Sequence, residues 1–353
     1  MLIFIVLLFL LCCYKIKPLW NKQFHQDYIG IEQTRSINGI FILLILFSHT
    51  FAKVSTQGIL DELYNPIRVF LGQFVVVPFL FYSGYGIMES IYKKDNYIQT
   101  FPQKRFLKIA VQFFVITIVY IVMHLLLRSE YTWKEYLLSF IGITSIGNGG
   151  WYILSLFVFY VSIIICFNLF KNYKILATIA VTLCLILLMV VEMALDFPTY
   201  YSTTIFFAVG MYFSLIKKHF DKVVMKNNIV YWICLAVSIA GFALSKILAG
   251  KTVLFYPIWC GFGMLAILLL TMKVKIGNAV LSWCGKAIFF IFTLQGIPQI
   301  LFTKFLQNNY LIYPCVIITT IAIAFFVEGL VKKLEKRISA KKENISTQDI
   351  STI

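Results

Sequence analysis

Ile40-Phe-Ile-Leu-Leu-Ile-Leu-Phe-Ser-His49-Thr-Phe-Ala52 is a run whose polar side chains are confined to Ser48, His49 and Thr50. A stretch this apolar reads as a membrane-crossing helix, in which an ionisable side chain costs roughly 2 kcal/mol or more unless a partner or a cavity receives it. His49 is therefore a functional candidate on energetic grounds. Arg35 precedes it by about four helical turns of the same segment.

The rest of the chain is built alike. Of its 353 residues, 60% are hydrophobic and 13% are charged, and the mean hydropathy is +0.87, a balance foreign to soluble domains. At about 20 apolar residues per crossing, eleven segments emerge: 2–14 (extending to 20), 37–54, 69–91, 106–127, 151–170, 175–193, 201–216, 229–248, 253–272, 279–299 and 311–331. Residues 136–146 are too short to cross and read as a re-entrant or interfacial piece. The expected fold is an all-α polytopic transmembrane bundle of about 10–11 spans surrounded by membrane lipid. Residues 1–20 form an N-terminal anchor without the basic leader or cleavage site of a signal peptide. Residues 21–337 form the bundle, and 338–353 a polar tail for which the composition predicts disorder.

A net charge of +16 raises the question of nucleic acid, but the basic residues are spread through short connections and not gathered on one face with aromatics. Alternate connections collect them: Lys15, Lys17, Lys22 and Arg35; Lys93, Lys94, Lys104, Arg105 and Lys108; Lys171 and Lys174; Lys217, Lys218, Lys222 and Lys226; Lys273 and Lys275; and the tail from Lys332. Positive-inside topology puts that side in the cytoplasm, with the chain N-out and C-in across the plasma membrane. The eight cysteines all lie in apolar stretches without Cys-x-x-Cys spacing, and they read as buried small hydrophobes with neither disulfide nor metal implied.

In this orientation Arg35 stands at the cytoplasmic mouth and His49 about 20 Å up the helix. That separation suits a long substrate with an anionic head, since imidazole is the side chain best poised to take a proton near neutral pH. Packing against a neighbouring helix is the alternative reading of His49. Ser83, Gly84, Tyr85 and Gly86 interrupt an apolar span, either for close helix approach or as a slot for a narrow chain. Glu89 pairs with Lys93 across one turn or orients a polar group. Lys104 and Arg105 are either topology signals or phosphate ligands. Gly147-Asn-Gly-Gly-Trp-Tyr152 is either an interfacial aromatic anchor or an acceptor site in which Trp151 and Tyr152 stack on sugars. His124 reads as structural; His25 and His219 fall in connections, and the Asn344 sequon reads as chance.

These stretches resemble the integral-membrane acyltransferase type 3 family, in its short Gram-positive branch without a soluble domain. Glu32 to His49 resembles its first signature, a basic residue and a glycine leading to an essential His. Phe79-Leu-Phe-Tyr-Ser-Gly-Tyr-Gly86 is similar to the second, followed by Lys104 and Arg105. Gly149-Gly-Trp-Tyr-Ile153 matches a Trp-centred element, and Leu281 to Gln295 a late element that usually closes on His. Two positions depart: Asn38 stands where the family has its basic residue, with Arg35 one turn earlier, and Gln295 replaces the late His.

The resemblance implies transfer of an acyl group, usually acetyl from cytoplasmic acetyl-CoA, to a hydroxyl of a cell-surface or lipid-linked glycan. No permanently bound cofactor is implied. Arg35, Asn38, Lys104 and Arg105 would then hold the donor, Ser83, Gly84, Tyr85, Glu89, Trp151, Tyr152 and Gln295 would shape the site, and His49 would act as general base or relay the acyl group covalently. A flippase for lipid-linked sugars or a glycan polymerase shares the same composition. Against the first stands the lack of visible internal symmetry, and against the second the shortness of the outer loops. The sequence leaves the acceptor, the acyl length and the oligomeric state open.

Overall fold

The computed structural model describes residues 2–20, 23–54, 58–195, 201–249, 251 and 255–351. Nearly all of it is helix: α1 Leu2–Cys13, α2 Ile31–Lys53, α3 Ile59–Leu71, α4 Val77–Lys93, α5 Tyr97–Phe101, α6 Lys108–Leu126, α7 Trp133–Ser139, α8 Gly150–Leu169, α9 Lys174–Ala194, α10 Tyr201–Thr204, α11 Phe206–Val224, α12 Asn228–Ala249, α13 Phe255–Lys273, α14 Ala279–Lys286, α15 Ile288–Leu294, α16 Gly296–Phe305 and α17 Asn309–Ser351. A 3-10 turn, Gly72–Val76, joins α3 to α4, and a π-helical turn, Pro102–Leu107, joins α5 to α6. Among the described residues, nine helical stretches are long and apolar enough to cross a membrane. This is an all-α, multi-pass membrane bundle.

The expected segments 2–14 and 201–216 account for the difference from eleven. Helix α1 has 12 residues, about 18 Å of helix, short of a hydrocarbon core of about 30 Å. It lies along α2, with Phe4 and Phe47 ring centroids 5.8 Å apart. Helix α11 ends in Lys217, Lys218, Asp221 and Lys222, which lowers its hydropathy. It nevertheless runs parallel to α4, because Ser214 donates to Glu89 Oε1 at 2.8 Å while Gly84 and Gly210 meet one turn earlier. The charged end of α11 emerges with that of α4.

The basic connections share one end of the bundle, the basic face. There the chain makes its one described sheet: Ile16–Pro18 (β1) pairs antiparallel with Val274–Ile276 (β2). Helix α2 satisfies the free edge of β2. Gln33 Nε2 donates to Val274 O at 3.2 Å and its Oε1 accepts from Ile276 N at 3.0 Å, and Ser36 Oγ donates to Ile276 O at 3.0 Å. Both side chains are buried, so their polar atoms need these partners. Lys275 Nζ to Asp27 Oδ2, 2.6 Å, ties the same corner; its hydrogen bond holds the Asp27 carboxyl below its ordinary value.

From this corner α14, α15 and α16 climb beside α2. The contact is backbone on backbone: a Cβ on Gly39 would collide with Leu281 O, and one on Gly285 with Arg35 O. Gly84 and Gly210 make the corresponding approach between α4 and α11. Small residues allow such contact where lipid gives helices no hydrophobic reason to associate. At the basic face α17 continues as helix to Ser351 through the tail expected to be disordered. Its Ser, Thr, Asn and Ile residues are indifferent helix formers, and the tail is helical as the extension of a helix already nucleated by the span.

Replacing Gly285 with Val should overpack the α2–α14 contact, by about 1–3 kcal/mol. The expected outcome is a melting temperature in detergent several degrees below wild type. Gly86→Ala, where a Cβ meets nothing within 4 Å, should leave it unchanged or slightly raised.

Candidate active site

His49 lies in the last turn but one of α2, and its side chain opens on a cavity of about 610 Å³. Despite its depth in the sequence run, the residue is exposed to that cavity. The membrane therefore does not have to dissolve an imidazole. The cavity opens at the end of the bundle opposite the basic face, with Lys53 and Arg68 in its wall together with Ser48, Gln73 and Gln299.

Gln295 faces His49 from the neighbouring climb. It stands at the junction of α15 and α16, where its backbone keeps helical torsions and donates to Ile291 O at 3.2 Å. Tyr120 Oη donates to Thr293 O at 2.8 Å beside this junction, and Gln295 Nε2 donates to Phe292 O at 3.0 Å. The other end of the amide, Oε1, is buried and has no hydrogen-bond partner, while the side chain interacts with the His49 ring. One turn on, Gln299 Nε2 reaches Thr50 Oγ1 at 3.4 Å. A neutral amide thus stands where a hydrolase triad would hold a carboxylate.

The third wall is the glycine-rich turn. Gly147 and Gly149 adopt φ of 101° and 72°, a left-handed backbone that side chains resist. A Cβ on Gly149 would also strike the Phe292 ring, which itself lies 6.3 Å from His49, centroid to centroid. Asn148, fully buried, anchors the turn by donating to Thr117 Oγ1 at 3.1 Å. His124 holds the preceding residue: its Nε2 lies 2.8 Å from Ile146 O and its Nδ1 2.9 Å from Ser129 Oγ. Both ring nitrogens are engaged, as the structural reading of His124 expects.

Residues 35–329 match the family model described as an acyltransferase domain. The chain belongs to the acyltransferase type 3 family. Neither a curated protein nor a solved structure matches it.

Within this membrane acyltransferase, the expected site residues divide into two groups. His49, Trp151 and Gln295 share the cavity, and Tyr152 stands just behind it, its ring 5.1 Å from that of Phe292. The others lie toward the basic face. Arg35 is exposed there, about 21 Å below His49 along α2. Asn38 is half-buried on the same helical face as His49, and its Oδ1 has no partner. Lys104 and Arg105 are exposed on the π-helical turn, and Arg105 and Ser83 both approach Tyr160. Gly84 serves the α4–α11 contact, and the Tyr85 ring lies tilted against that of Phe213, 6.2 Å away. Glu89 binds both Lys93, at 2.7 Å, and Ser214, so its two oxygens are occupied.

Sequence reading passed over Lys53, Arg68, Gln73, Tyr131 and Gln299, all in the cavity wall. Lys53 was legible one turn after His49; the others come from distant segments. It also passed over Glu192, which is buried near the far end of α9, with Oε1 3.4 Å from Ser155 Oγ and Oε2 unpartnered. Ser155 in turn donates to Trp151 O at 3.1 Å, so Glu192 backs the helix turn that presents Trp151.

Gln295→Leu keeps the volume but removes the amide oxygen that faces the imidazole. Acyl transfer should fall about tenfold in kcat, the equivalent of one hydrogen bond of ~1.4 kcal/mol, with the melting temperature in detergent unchanged.

Proposed function

We propose that this acyltransferase is an O-acetyltransferase that moves acetyl from acetyl-CoA to a hydroxyl of a cell-surface or lipid-linked glycan, with the basic face in the bacterial cytoplasm. One observation carries the reading: His49 is open to a polar cavity at the far end of α2 from exposed Arg35. A donor bound by its phosphates at the basic face and an acceptor admitted from the other side would meet within the bundle.

Arg35, Lys104 and Arg105 supply charge for the phosphates, and Arg adds its forked donors. Asn38 lies between them and His49, with a free Oδ1. Ser83, Tyr85 and Glu89 border the same half of the bundle. At the other end Trp151 and Tyr131 offer aromatic faces to a sugar. The Gln295 oxygen is suited to accept an N–H from imidazole, which leaves the second ring nitrogen bare. That nitrogen takes the proton of the acceptor hydroxyl as its oxygen bonds to the acyl carbon. The C–S bond then breaks, and the departing thiolate recovers the proton from His49. Atoms and charge balance without a metal or a redox partner.

Membranes carrying the protein should consume labelled acetyl-CoA when given a glycan acceptor, and His49→Ala should lower that rate by about 10²–10⁴-fold at equal protein level. Retained activity in His49→Ala would overturn the mechanism. Arg35→Ala should raise KM for acetyl-CoA with kcat largely kept, the mark of lost ground-state binding. Mass spectrometry of envelope glycans with and without the protein reads acceptor, position and acyl size together.

A further inference from the structure

Among the described residues, the charged side chains that line the cavity around His49 all have one sign. Lys53 and Arg68 line the cavity, and among the described residues no Asp or Glu does. Lys53 follows His49 by four residues on α2, a spacing that puts Cβ atoms about 5–6 Å apart. Arg68 leans on neutral groups only: its Nη2 is 3.2 Å from Asn65 Oδ1, and its guanidinium lies 5.3 Å from the Phe51 ring centroid. A third cation stands behind the wall. Lys246 Nζ sits 3.9 Å from the Trp259 ring centroid, and a Cβ added to Gly72, a lining residue, would come within 3.8 Å of it.

None of the three joins an ion pair among the described residues. The charge map makes this the sparsely basic side of the bundle, so topology does not account for their gathering here. Cations without counterions in a cleft with low-dielectric walls focus a positive potential into it. A neutral sugar gains little from that potential, whereas a carboxylate or phosphate gains charge-assisted hydrogen bonds.

We propose that the acceptor bears a carboxylate or phosphate within about one sugar unit of the hydroxyl to be acylated, and that Lys53 and Arg68 hold this anion while His49 faces the hydroxyl. This rests on the acyl-transfer reading and narrows its substrate to acidic glycans. Lys246 acts from behind, through its field.

The test uses the full-length protein in neutral detergent, with fluorescent oligogalacturonate and neutral dextran oligosaccharides of equal length as probes. Oligogalacturonate should bind at least about tenfold more tightly, in a salt-sensitive way. Lys53→Gln with Arg68→Gln should abolish the preference at an unchanged melting temperature, whereas Lys218→Gln with Lys222→Gln, on the basic face, should retain it. Equal affinity for the two probes, a preference that survives the cavity variant, or one lost equally in the basic-face variant overturns the proposal. Phosphatidylglycerol added to the micelles is the arm for a lipid anion: if the cavity variant loses that lipid and not the acidic glycan, the cations serve the membrane and the proposal falls. Binding needs neither donor nor turnover. A protein that acetylates dextran but ignores oligogalacturonate refutes the anion alone, and one that binds oligogalacturonate without consuming acetyl-CoA refutes the transfer alone.

Discussion

The contact between α2 and α14, where Gly39 and Gly285 each press against a carbonyl of the other helix, governs the geometry of the site. It sets two climbing segments side by side with no side chain between them. From that contact upward α2 and the α14–α16 climb rise together, and Gln295 arrives in the same cavity wall as His49. A bulkier contact would splay the two climbs and separate the amide from the imidazole. The strand corner below works to the same end, since Gln33 and Ser36 clamp β2 to α2 just before α14 begins.

Much of this was legible beforehand because lipid imposes simple rules. Backbone polar groups have no partner in hydrocarbon, so apolar runs become helices, and their length and flanking charge mark the crossings. His49 stood out on the same physics. Its cost was overstated, because the ring meets a cavity. The resemblance to acyltransferases placed His49, Trp151 and Gln295 in one list, and the folded chain brings these three together.

What stayed hidden depends on pairings between distant segments. Gly84 is compatible with a slot or a helix contact, and only the presence of Gly210 opposite decides for contact. The antiparallel pairing of Ile16–Pro18 with Val274–Ile276 spans most of the chain, and three-residue strands carry no periodicity to read. Helix α11 falls short of a span by composition because its lysines lie at the end that emerges beside the charged end of α4. Arg68 and Gln73 reach the cavity through the turn at Gly72, where no local pattern announces a site.

The turn from Gly147 to Gly150 makes one wall of the cavity out of backbone. Left-handed torsions, the Phe292 ring and the Asn148 anchor leave no room for a side chain there. Change in what this enzyme accepts is thus channelled to the α3–α4 side of the cavity, where Val69 is exposed and Gln73 half-buried in the lining. One side of the site behaves as a fixed anvil, and divergence among relatives would be written on the other.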